Sequence, residues 1–193
     1  MVAPSASSRT TASFGTRIAA YLIDSLVLLG FLLIFFVIGG AVLLFTSDWG
    51  KDDPPDAAFT AFIAILLGGP LVFWSLFNLM LDRWRAQSIG MFVVGIKATF
   101  DGPDGRTTGG VLLRWFGLNP VLYHPLLIPV WALLAAYATS VTLSRSILVL
   151  TLALVLLCIV SPIVTVATMA LDSERRGVHD RLARTRVVTV EQP

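Results

Sequence analysis

Asp24 stands inside a long apolar run, Ile18 to Phe45. A carboxylate near the centre of a membrane-length helix costs about 2.5–3.5 kcal/mol to insert. Such a residue faces the bundle interior and marks either a pathway or a partner. Arg17 lies seven positions earlier, with Tyr21 between them. Seven residues of α-helix leave two side chains about 20° apart around the axis and about 10 Å apart along it. Arg17, Tyr21 and Asp24 therefore form a polar stripe that climbs from the interface into the apolar zone. Two chemistries fit it. In the first, Asp24 binds a cation or exchanges a proton. In the second, it makes a structural ion pair or a helix-to-helix hydrogen bond, with Arg114 or a C-terminal arginine as partner.

The other polar residues in apolar surroundings are fewer. Asn78 and Asp82 sit four apart near the end of a second run and read either as pathway lining or as a solvated helix end. His124 lies among Pro120, Pro125 and Pro129, where unwound backbone can line a cavity; the plainer reading is a hydrogen-bonded interior histidine. His179–Asp180 is the remaining histidine–acid pair. Two histidines and one cysteine, Cys158, make no zinc set. No nucleophile motif, P-loop or dinucleotide fingerprint occurs, so the reading is non-enzymatic and without a cofactor. Cys158 sits in an apolar run as a small buried residue.

The elements that must hold these residues are apolar and long. Of 193 residues, 56% are hydrophobic and 13% charged, and mean hydropathy is +0.83. A soluble domain carries roughly 25% charged residues. A helix needs about 20 apolar residues to cross a core about 30 Å thick. Four spans are expected, at about residues 18–45, 57–81, 121–137 and 147–171, making an all-α integral membrane bundle. Residues 1–13, rich in Ser, Ala and Thr, read as a disordered cytoplasmic tail, ahead of a membrane domain over 14–190. The first run is about twice a signal-peptide core and carries Asp24, so it reads as an uncleaved span. Thr46 to Asp56 is an acidic turn-rich loop. Gly68, Gly69 and Pro70 are expected to break the second span. The longest polar stretch, Asp82 to Gly110, holds a β-branched segment from Phe92 to Phe100 that ends in the turn signal Asp101–Gly105. It reads as a strand, or as an interfacial helix running into one. A further interfacial piece reaches about Asn119, and a turn is expected at Thr139 to Ser146. Val187-Val188-Thr189-Val190 closes a basic tail.

Twelve arginines and lysines fall before the first span, between the second and third, and after the fourth; only Lys51 and Arg145 fall on the other side. Positive charge stays in the cytoplasm, which places both termini there and makes the span count even. The basic residues flank apolar runs without interleaved aromatics, so nucleic acid is not an expected partner. Short spans with this bias suit a cell (plasma or bacterial inner) membrane.

Three segments carry a resemblance to the RDD family of membrane proteins. Phe14-Gly15-Thr16-Arg17-Ile18-Ala19-Ala20-Tyr21-Leu22-Ile23-Asp24 resembles the family's opening. Ala86-Gln87-Ser88-Ile89-Gly90 resembles its central GQ-[ST]-x-G stretch. Val178-His179-Asp180-Arg181-Leu182-Ala183-Arg184-Thr185-Arg186-Val187-Val188 resembles its closing HD-x-x-A-x-T-x-V motif. The resemblance implies that Arg17, Asp24 and Asp180 are the named triad, with Gln87, Ser88, Gly90, His179 and Thr185 as motif residues. It also implies transport of ions or small solutes, including sodium–proton exchange in some members. Ala86 and Arg184 depart from the pattern by standing where glycine is usual, and Met91-Phe92 by standing where more basic residues are common.

From the residues themselves, Ile96 to Phe100 and Arg186 to Val190 are expected to pair as a small cytoplasmic sheet. That would bring Asp180 to the mouth of the first span and let Arg17 bridge Asp180 and Asp24. Two functions are open. An ion or proton exchanger would use Asp24, with Tyr21, Asn78, Asp82 and His124 as lining, a monovalent cation and proton as partners, and a homo-oligomer to widen a narrow bundle. An accessory or assembly protein would bind other membrane components or anionic lipid through its basic face, with the triad purely structural.

Overall fold

The computed structural model describes residues 10–100, 107–118, 123–141 and 145–190. The first nine residues of the expected tail, the turn at Asp101–Gly105 with Arg106, the expected start of the third span and residues 142–144 of the expected turn lie outside them. The elements run α1 (Phe14–Thr46), α2 (Asp56–Arg85), α3 (Ile89–Val93), β1 (Ile96–Phe100), α4 (Thr108–Leu118), a 3-10 turn (Pro125–Leu127), α5 (Ile128–Val141), α6 (Arg145–Leu171), α7 (Val178–Leu182) and β2 (Thr185–Thr189).

Among the described residues three helices, α1, α2 and α6, are long and apolar enough to cross a membrane; a shorter apolar helix covers Pro125–Tyr137. At 1.5 Å per residue the three are about 50, 45 and 40 Å long. Pro70 does not break α2, which runs on through it. The glycine beside it serves packing: a Cβ on Gly69 would collide with the Phe35 ring. Pro54 and Pro55 precede α2, and Asp56 opens it, where a carboxylate meets the positive end of the helix dipole. Ala86, with φ 56°, ends it in the left-handed region, as a residue just past a helix C-terminus commonly does.

The chain divides into two compact units. One comprises Ser25–Asn78 and Asn119–Ile163. Its core is Leu28, Leu32, Trp74, Leu127, Trp131 and Cys158, with Phe31 and Trp74 meeting edge to face at 5.6 Å. Large apolar side chains such as Leu26, Val37 and Val149 point outward, which is costly in water and costs nothing in lipid.

The other unit comprises Met1–Asp24, Leu79–Leu118 and Val164–Pro193. Its core is Ala12, Ala20, Met91, Ile96 and Val187. β1 and β2 pair antiparallel, Ile96 opposite Thr189 and Phe100 opposite Thr185, one residue from the expected pairing limits. Thr10–Ser13, expected in a disordered tail, are instead tied down. The Ala12 N–H donates to Val187 O (2.9 Å), the Thr189 N–H donates to Thr10 O (3.0 Å), and Ser13 Oγ accepts from the Thr16 N–H at 3.1 Å, as an N-cap serine does.

Candidate functional site

All three motif segments lie in the second unit described, and each motif residue there has a physical task. Ala86 turns the chain out of α2. Gln87 Nε2 then donates to Ile96 O at 2.8 Å, which fixes the start of β1. Ser88 caps α3 by accepting from the Met91 N–H at 3.2 Å. Its hydroxyl donates to Asp24 Oδ2 at 2.5 Å, and the Gly90 N–H donates to Asp24 Oδ1 at 2.8 Å. Gly90 is glycine because α1 passes against it: a Cβ there would run into the Ala20 backbone. Asp24 thus reaches out of α1 to two donors on the short α3, a charge-assisted pair of hydrogen bonds.

The expectation that Arg17 bridges Asp24 and Asp180 is corrected. Among the described residues Arg17 pairs with one carboxylate, that of Asp180, Nη1 to Oδ2 at 3.0 Å, while Nη2 donates to Val187 O at 3.4 Å. Two turns of helix do bring Arg17 and Asp24 to one stripe, but α3 intervenes with neutral donors for Asp24. The alternative partner, Arg114, is also engaged elsewhere. It comes from α4, is wholly buried, and donates Nη1 to Asp82 Oδ1 at 3.0 Å. Its Nε lies 3.6 Å from Asp180 Oδ1, and Nη2 contacts Met91 Sδ at 3.5 Å. Thr185 Oγ1 donates to Asp180 Oδ1 at 2.9 Å.

Arg17, Asp180, Arg114 and Asp82 therefore form one buried chain of alternating charge, two cations against two anions. Buried ions persist only when paired in this way. Burial alone would push the Asp180 carboxyl up; His179, Arg114, Arg17 and the Thr185 hydroxyl outweigh it and hold it below the ordinary aspartate value. Burial pushes His179 down, so the imidazole is neutral at neutral pH. Its position is demanding, because a Cβ on Gly117 would come within 2.6 Å of His179 Cβ.

The expected lining residues fall in both units. Tyr21 is exposed and Asp82 pairs with Arg114, both in this unit. Asn78 and His124 belong to the other unit. There Asn78 Nδ2 donates to the Trp74 carbonyl at 3.0 Å, and His124 caps the 3-10 turn, Nδ1 accepting from the Leu126 N–H at 3.3 Å. Nε2, protonated in that neutral tautomer, faces Ser25 Oγ at 3.3 Å. Among the described residues no group of three or more His, Cys, Asp or Glu could hold a metal ion.

Arg114 and Asp82 are the residues whose roles sequence reasoning missed. The signal is visible in retrospect: Arg114 is the single charged residue of α4. The tail is also more self-contained than expected. Arg176 and Arg181 pair with Asp172 at 3.2 and 3.0 Å, and Arg176 and Arg186 with Glu174 at 3.1 and 2.9 Å. The Arg176 N–H, then the two guanidinium groups, hold Asp172 down at about 2.

A protein-family model described as the RDD family matches residues 11–184. No curated protein matches the chain, and no solved structure does.

Proposed function

The chain belongs to the RDD family, and from that premise we propose a four-span accessory or assembly membrane protein whose named arginine and aspartates are fasteners. The observation that carries this is the closure of the triad onto protein groups. Asp180 is held by Arg17, Arg114 and Thr185, and both oxygens of Asp24 are taken, one by Ser88 and one by Gly90. These bonds join the N-terminal helix, the central loop and the C-terminal motif into one folded face that a partner in the membrane can recognise.

The third span along the chain is the 3-10 turn with α5, of 3 and 14 residues. They rise roughly 27 Å, just short of the hydrocarbon thickness, a mismatch met at modest cost by local thinning. An even count, with twelve of fourteen basic residues on one side, puts both termini and the β1–β2 sheet in the cytoplasm.

A second reading, cation or proton exchange at Asp24, is favoured by one feature. Among the described residues Asp24 has neutral donors and no basic side chain beside it. Flux in proteoliposomes separates the two, wild type against Asp24→Asn. The accessory reading predicts no sodium- or proton-coupled flux from either protein, and stable co-purification of a second membrane protein. Flux that wild type supports and a folded Asp24→Asn loses would overturn it.

A further inference from the structure

Charge pairing divides the basic residues of the motif unit into two sets. Arg17 and Arg114 are neutralised inside, and Arg176, Arg181 and Arg186 by Asp172 and Glu174. Arg83 and Arg85, at the end of α2, are exposed and, like Lys97, Arg175 and Arg184, paired with no carboxylate among the described residues; they differ from those three in the aromatic rings beside them. They flank Trp84, which is 71% exposed. Arg85 stacks over the Phe92 ring at 5.4 Å, and Phe92 and its neighbour Val93 are themselves exposed.

α4 has the same character. It buries its one charged residue, Arg114, together with Val111, and turns Leu112, Leu113 and Phe116 outward. This inverts the pattern of a helix at a water-facing surface. At 11 residues it is about 16 Å long, too short to span. A short helix with its charge inside and its apolar face outside is stable where that face enters the acyl boundary. Trp is the residue of that depth, and arginines beside it meet headgroups.

We infer that Arg83, Trp84 and Arg85, with Phe92 and Val93, form a binding site for the phosphate of an anionic phospholipid, and that the outward face of α4 lies in the same interfacial layer. The occupant is lipid because unneutralised cations and exposed rings of headgroup depth occur together. The basic tail, which sequence alone favours for that role, has spent three of its arginines on its own carboxylates. The inference rests on the membrane placement proposed above. Its test is read in detergent, so an error in span count or orientation leaves that result unchanged.

The full-length protein in neutral detergent is offered phosphatidylglycerol or phosphatidylcholine, and retained lipid is counted by native mass spectrometry. Wild type keeps phosphatidylglycerol in preference. Arg83→Gln with Arg85→Gln loses roughly fivefold in that preference for each arginine, while Arg175→Gln with Arg184→Gln, on the exposed tail, keeps it. Equal retention of the two lipids by wild type overturns the inference, as does an equal loss in the tail variant. A stoichiometric co-purifying protein released by the Arg83/Arg85 variant, without lipid preference, would give the surface to a protein partner instead. An independent readout is a spin label on Phe92→Cys in a Cys158→Ala background, reconstituted in bilayers. The label should report headgroup depth; full exposure to bulk water contradicts the site.

Discussion

Arg114→Leu is the sharpest perturbation of the buried ion chain. Arg114 is fully buried, and it supplies Asp82 with a hydrogen bond at 3.0 Å. Asp180 would keep Arg17 and Thr185, so its loss is partial. Asp82 would be left as a buried carboxylate with no cation among the described residues. Leaving one charge of a buried pair uncompensated costs about 3–5 kcal/mol, whereas replacing both by apolar residues of similar volume is often close to neutral. Arg114→Leu should therefore be severely destabilised, and Asp82→Leu/Arg114→Leu should recover most of the loss. The assay is the temperature at which half of the detergent-solubilised protein leaves the monodisperse peak. An unshifted Arg114→Leu, or a double variant worse than the single, would refute the argument that these charges stabilise only as a set.

Three further outcomes are read in the same assay. Gly90→Ala drives a methyl into the Ala20 backbone and should cost about 1–3 kcal/mol or more, while Gly68→Ala, which meets nothing within 4 Å, should be neutral or gain up to about 1 kcal/mol from helix propensity. Ala86→Gly and Arg184→Gly relieve left-handed backbone at φ 56° and 51° and should each stabilise by roughly 1 kcal/mol. Both His179 and Asp180 have folded values below their ordinary ones, so the unfolded chain takes up their protons first. Stability should then be full above about pH 6.5 and fall on acidification, through His179 first and through Asp180 below about pH 3.9. His179→Gln should remove the first part of that fall.

The long helices and the strand pair were legible because both rest on local patterns: apolar length for α1, α2 and α6, and β-branched runs for β1 and β2. The short α3 was not: the β-branched run from Phe92 to Phe100 left a strand and an interfacial helix both open, and the helix starts earlier, at Ile89, where Ser88 caps it. What sequence could not supply was pairing across distance. Arg114 meets Asp82 over 32 positions, and no local rule says that an arginine in an apolar helix seeks those two aspartates rather than Asp24. The helical stripe correctly placed Arg17 and Asp24 on one face, but not the intrusion of α3, which gives Asp24 neutral donors. The two positions where glycine was expected and is absent, Ala86 and Arg184, both fall in left-handed backbone. There the motif was reporting a conformation rather than a chemistry.

The central claim is that Asp24 is a fastener held by Ser88, and a double-mutant cycle over Asp24→Asn and Ser88→Ala measures that bond most directly. A hydrogen bond to a charged group contributes about 1.5–3 kcal/mol. The account predicts coupling of that size in thermal stability, with the double variant scarcely worse than either single one. Strictly additive losses, or a Ser88→Ala protein as stable as wild type, would contradict it.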